Sequence, residues 1–182
     1  MTVFHLVQHG EKARTPGDPG LTDLGHRHAA LTGAHLRGAG LTAVYSSDLL
    51  RARQTAGAVA DACGLTTTVD RRVRERMNWD GTQPVAEFLA DWERTVRDRE
   101  FTPVSGDSSR VAGERFRAFL LDLAGAPGPV AVATHGGVTV DLLRTLGADV
   151  PDELLWEGVP SCAITTLDDL TVRDIASRRH LT

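Results

Sequence analysis

Long hydrophobic runs are missing from this sequence. No stretch approaches the roughly 20 apolar residues that a membrane-spanning helix needs, and no basic-plus-apolar leader precedes Val3, so the expectation is a cytoplasmic protein with no membrane partner. Cysteine is scarce: Cys63 and Cys162 stand alone, one in a helical pattern and one in a strand pattern, without metal-ligand spacing, and both read as buried free thiols. Positive charge is not in excess. A formal net charge of −4 argues against a general nucleic-acid binder, although an acidic protein can still hold a locally positive anion pocket. Lysine is almost absent, Lys12 being the only one among 20 basic residues. Repeats, low-complexity segments and linkers are missing too. The 182 residues are enough for one core, and residues 1–182 are expected to form a single domain.

Three strand ends carry what chemistry there is. The run Val3-Phe4-His5-Leu6-Val7 stops at Gln8-His9-Gly10-Glu11-Lys12, a geometry that suits a phosphate site at the C-terminal edge of an α/β sheet, with Gly10 letting backbone amides approach the anion. A second run, Pro129 to Thr134, ends alike in His135-Gly136-Gly137. Between them Tyr45-Ser46-Ser47-Asp48 leads into a helix whose first turn holds Arg51. The helix dipole disfavours a cation there, a cost that makes sense if the guanidinium faces a phosphate, and its planar fork suits bidentate binding. Arg53, by contrast, reads as solvated.

With these pieces in order, the sequence resembles the histidine phosphatase superfamily, the phosphoglycerate-mutase-like fold. That family carries Arg-His-Gly after its first strand, a Ser-x-Leu-x-Arg-Ala-x-x-Thr-Ala helix start, a glutamate ahead of a Trp-acidic-Gly segment, and a late His-Gly. Gln8-His9-Gly10, the helix start at Arg51, Glu75 before Trp79-Asp80-Gly81, and His135-Gly136 match them across nearly the whole chain. One position departs: Gln8 stands where the family has arginine. The resemblance implies a metal-independent phosphomonoesterase without a cofactor, acting on a small phosphorylated substrate. His9 would be the nucleophile forming a phosphohistidine, with Arg51, His135 and Gly136 on the phosphate and Glu75 as general acid and base. Asp80 is the rival carboxylate for the last role.

Gln8 keeps hydrogen-bond donors but removes a charge where charge-assisted bonds are about twice as strong as neutral ones. Lys12, four positions on, is the candidate to restore it, and Thr15 stands where many family members place a polar phosphate contact. Alternatives stay open. One is a catalytically silent phospho-ligand-binding protein in which Gln8 marks decay of the site; others are a mutase and a protein phosphatase. The oligomeric state is not encoded in any visible motif.

The remaining pattern predicts strands alternating with helices: a three-layer α/β/α sandwich around a mostly parallel sheet. Thr22 is expected to cap a helix with Leu24, His28 and Leu31 on one shared face, and His26, His28 and His35 lack the spacing of metal ligands. The helix after Asp48 should bury Leu49, Ala52, Ala56, Val59 and Cys63. The stripe Val85, Phe88, Leu89, Trp92 and Val96 reads as core in preference to a pocket wall, and the arginines of 71–76 as a solvated loop. Asp107 or Ser108 should cap the following helix, Ser161 to Leu167 should supply a last core strand, and Ser177 to Thr182 reads as a polar tail.

Overall fold

The N-terminal apolar run forms strand β1 (Val3–Gln8), whose alternating side chains feed two separate cores, Phe4 and Leu6 into one and Val7 into the other. The computed structural model covers Met1 to Thr182. Five further strands join β1: β2 (Ala43–Ser46), β3 (Thr67–Val69), β4 (Val130–Thr134), β5 (Ile164–Asp168) and β6 (Thr171–Ser177). Their order across the sheet is β3-β2-β4-β1-β5-β6. The first four run parallel, with Phe4 opposite Val130 and Gln8 opposite Thr134; β5 and β6 form an antiparallel edge. Every residue of β4 is buried, as expected of a parallel strand covered on both faces.

Helices α1 (Asp23–Leu36) and α2 (Leu50–Cys63) cover one face, where Leu36, Ala56 and Val59 pack on Val7, Val44 and Ala131. On the other face α4 (Ser109–Asp122) and α5 (Gly136–Thr145) place Phe116, Phe119 and Leu142 against Phe4, Leu6 and Val132. Two shorter-ranged helices, α3 (Val85–Arg97) and α6 (Asp152–Glu157), touch each other beside these layers. The chain leaves β1 toward one face and β4 toward the other, so the neighbouring ends of these two strands diverge. That topological switch point opens a crevice outside their carboxyl ends.

Four local expectations need correction. Thr22 does cap α1, its Oγ1 accepting from Gly25 N at 3.1 Å. The buried face, however, is Gly25, Ala29, Thr32, Gly33 and Leu36, while Leu24 and Leu31 are exposed. The reason is close approach: a Cβ on Gly33 would lie 2.5 Å from Ala58 O of α2, so small residues, not leucines, make this contact. Cys63 is only half-buried. Cys162 is buried but precedes β5 in a turn at φ 57°, where its N–H donates to Gln8 O at 3.1 Å. The last residues are not a tail. β6, too polar to show an apolar pattern, pairs with β5, and the 3₁₀ turn Arg179–Leu181 stacks His180 on His35 at 5.1 Å. Ser108, of the two candidates, caps α4.

Candidate active site

Because β1 and β4 are parallel neighbours in register, His9 and His135 leave the sheet side by side, with ring centroids 5.2 Å apart. His9 Nδ1 lies 2.7 Å from Gly10 O. A carbonyl can only accept, so Nδ1 carries the proton and Nε2 is left with a free lone pair. Burial, then the charges of Arg51 and Lys12, push the His9 pKa down to about 3, against the opposing pull of the Gly10 hydrogen bond. Gly10 serves another purpose than expected. Its N–H donates to Thr55 Oγ1 at 3.0 Å, and a Cβ there would meet Gly25 O at 2.7 Å, so the glycine admits the start of α1 and not an anion.

His135 is fully buried, with Nε2 2.6 Å from Ser47 Oγ and no partner for Nδ1. Burial, followed by His9 and Arg51, holds its pKa well below the ordinary imidazole value. Arg51, in the first turn of α2, is 3% exposed. Its Nη2 donates to Asn78 Oδ1 at 3.1 Å and Nη1 lies 3.8 Å from Asp18, but neither Nε nor Nη1 has a hydrogen-bond partner. Desolvated guanidinium donors left open in this way call for an anion.

Glu75 occupies the start of α5. Its Oε2 accepts from Gly137 N at 3.0 Å, and its Oε1 from Val138 N at 2.7 Å and Arg76 N at 2.9 Å. A helix N-terminus is the preferred seat of a carboxylate. A Cβ on Gly137 would sit 2.6 Å from both Glu75 Oε1 and the Trp92 ring, so only glycine fits.

A cavity of about 200 Å³ gathers His9, Lys12, Thr15, Arg51 and Glu75. The 13–20 loop closes over it, pinned by Asn78 Nδ2 to Gly17 O at 2.8 Å, by Gly17 N to Trp79 O at 2.9 Å, and by Leu50 N to Asp18 Oδ1 at 2.8 Å. Burial and the nearby Arg51 push the Lys12 pKa down. Asp80 lies elsewhere: it is exposed, accepts from the Thr82 hydroxyl, and lines a neighbouring cavity that has no hydrophobic residue and shares Glu75 and Asn78, but not His9, with this one. The geometry therefore brings Glu75, not Asp80, to His9. Gln8 is buried, but its Oε1 has no partner and its side chain does not line the cavity. Gly136 packs on the backbone of Gly158 and Val159, where a Cβ would come within 2.7 Å of Val159 N.

Sequence reasoning missed several residues. Arg76 is not solvated: it is fully buried, its Nη1 donating to Asp141 at 2.9 Å and its guanidinium lying 4.0 Å over Trp92. Ser109 Oγ donates to the same carboxylate at 2.6 Å. The stripe on α3 is a pocket wall where core was expected, because Phe88 and Trp92 line the His9 cavity while Val85 and Leu89 are half exposed. Nothing in an arginine-rich run distinguishes the one that finds a partner 65 residues on. Breaking this buried pair with Asp141→Ala is expected to destabilise the fold by about 3–5 kcal/mol, since it leaves a desolvated guanidinium unpaired. In denaturant unfolding the double variant Arg76→Met with Asp141→Leu should recover much of that; equal loss in both would sink the argument.

Two imidazoles 5.2 Å apart and a guanidinium with open donors thus meet at the switch point of a three-layer α/β/α fold. The chain belongs to the histidine phosphatase superfamily, branch 1, whose family profile matches residues 4–171. A probable phosphoglycerate mutase of Yersinia pestis is 35% identical, over 80% of this chain and 75% of that protein. A mycobacterial glucosyl-3-phosphoglycerate phosphatase in complex with inorganic phosphate superposes with a TM-score of 0.75 at 26% identity, covering 94% of this chain and 93% of that one. Bacillus stearothermophilus YhfR shares the fold over both full lengths, with a TM-score of 0.77 at 24% identity.

Proposed function

We propose that this protein is a metal-independent phosphatase that hydrolyses a small phosphomonoester through a phosphohistidine on His9. The observation that carries the reading is the bare Nε2 of His9 opening on a cavity that also holds Arg51, with its unpartnered N–H donors, and the Glu75 carboxyl. In the first step Nε2 attacks phosphorus, the bond from phosphorus to the ester oxygen breaks, and the Glu75 carboxyl, as general acid, gives a proton to the leaving alcohol. In the second, Glu75 takes a proton from water as the water oxygen attacks phosphorus, and the bond from phosphorus to Nε2 breaks to release inorganic phosphate. Arg51 and His135 stabilise charge on the phosphoryl oxygens throughout. A bound dianion favours the cationic form of His135, because its charge opposes the fields of His9 and Arg51.

The test is an aryl phosphate assay with chelator present, together with acid-labile phosphohistidine capture from a rapid quench. Turnover that survives chelation with label on His9 supports the reading. Binding of phosphate with no turnover of any ester would favour the silent phospho-ligand binder, the reading that Gln8 suggests. Transfer to a second hydroxyl in place of water would favour a mutase, the activity named for the Yersinia relative.

Lys12 takes the role of the missing arginine, supplying from the loop the charge that Gln8 lacks. Lys12→Ala should therefore weaken inorganic phosphate inhibition and raise KM by roughly tenfold, the value of one charge-assisted hydrogen bond. Unchanged phosphate affinity and turnover would refute that role.

A further inference from the structure

Resting on the reading that Arg51 seats the phosphoryl group, we infer that Asp18 is a fixed counter-charge that lowers the site's affinity for phosphate dianions, so that product leaves and does not block the cavity. The inference begins at the start of α2. Leu49, at the N-cap, makes no side-chain cap for the first free N–H groups of the helix. Asp18 supplies one from the loop instead, its Oδ1 accepting from Leu50 N at 2.8 Å. A helix N-terminus also favours a carboxylate, so this charge has an anchor of its own, independent of Arg51. The same oxygen lies 3.8 Å from Arg51 Nη1. That is too long for a hydrogen bond, and Nη1 stays without a partner, yet it is well inside the reach of a charge.

An oxyanion on Nη1 would sit about 2.9 Å from that nitrogen, which puts the bound oxygen within about 7 Å of the Asp18 carboxylate. At that separation, even with the dielectric constant of water, one unit charge repels a dianion by a factor of about five in affinity at an ionic strength near 10 mM. The Asp18 side chain is 46% exposed, so salt reaches it, and the factor falls to about two near 150 mM. Arg51 and Lys12 meet the same oxyanion in the ester and in the product, and a cavity that only attracts would retain both. Asp18 weakens that hold from the 13–20 loop, whose Thr15, Gly17 and Pro19 line the cavity while Asp18 itself stands just behind them on α2. Glu75, the other carboxylate near Arg51, is held by three backbone N–H groups and serves the ester oxygen.

Asp18→Asn separates the charge from the cap, because the amide oxygen still accepts from Leu50 N. In calorimetric titration of the full chain with inorganic phosphate, Asp18→Asn should bind about fivefold tighter than wild type near 10 mM ionic strength, about twofold tighter near 150 mM, and equally near 1 M. A residue that only caps α2 gives a different pattern: Asp18→Asn equal to wild type at every salt concentration, and Asp18→Ala weaker than both. In turnover, KM for phenyl phosphate and the inhibition constant of phosphate should fall together in Asp18→Asn at low salt. The salt-dependent gain in phosphate affinity without turnover of any ester would end the phosphatase reading while the counter-charge stands. Equal or weaker phosphate binding by Asp18→Asn at low salt, or a gain that does not shrink as salt is added, overturns the inference and leaves the phosphatase reading untouched.

Discussion

Replacing His9 by alanine is expected to lower kcat for phenyl phosphate by at least about 10⁴-fold while inorganic phosphate still binds. The size of the loss follows from how little else in the cavity can attack phosphorus. Lys12 and Arg51 are cationic, Glu75 is held by three backbone N–H groups, and His135 Nε2 is occupied by Ser47. Of the two histidines only His9 lines the cavity, and its Nε2 lone pair is bare because the Gly10 carbonyl fixes the proton on Nδ1. A pKa near 3 keeps the ring neutral through the mildly acidic and neutral range, so the acid limb of kcat/KM should not reflect His9 protonation near 6.5. Binding survives the substitution because Arg51 and Lys12 are untouched. The measurement is single-turnover hydrolysis alongside calorimetric phosphate titration. A His9→Ala enzyme within tenfold of wild type would remove His9 from the nucleophile's role and direct attention to His135.

Much of this site was legible because its two histidines obey one local rule, an apolar run halted by histidine and glycine. β1, β4 and the inward stripe of α2 are strongly patterned, and the order of motifs placed Arg51 and Glu75 with them. What stayed hidden depends on neighbours that a linear pattern cannot supply. The face α1 buries is decided by how near α2 comes, so small residues outranked leucines. Arg76 looked like the other arginines of 71–76 until Asp141 on α5 came within reach. Ser47 matters because β2 lies beside β4, a fact of topology that brings its hydroxyl to His135. Phe88 and Trp92 had the spacing of a core stripe. Only the pinning of the 13–20 loop across from them leaves a cavity between, turning core-like residues into a wall.

Packing two imidazoles into one desolvated, cationic crevice should make the fold sensitive to acid. His9 titrates near 3 in the folded protein and near 6.5 when unfolded, so between those values the unfolded chain binds the proton and the folded one does not. Stability therefore rises with pH across this window: the contribution is complete above about 6.5 and lost progressively toward 3, on the order of 5 kcal/mol for His9 alone. His135 acts in the same direction. Asp141 opposes them. Burial outweighs Arg76 and raises its carboxyl to about 6, so its folded form favours the proton, and its contribution is present at low pH and fades as pH rises through 6. Two histidines against one aspartate give a net loss on acidification. Urea unfolding at intervals from pH 7 to 4 should show that loss in wild type and a much flatter profile in the double variant His9→Ala with His135→Ala, where only the opposing slope of Asp141 remains in this crevice. Saturating phosphate should flatten the wild-type profile as well, by supplying the counter-charge that lets the imidazoles protonate in place. Equal slopes for wild type and double variant would mean that the buried histidines do not govern the acid response, and would remove the electrostatic basis for treating His9 as a neutral, poised nucleophile.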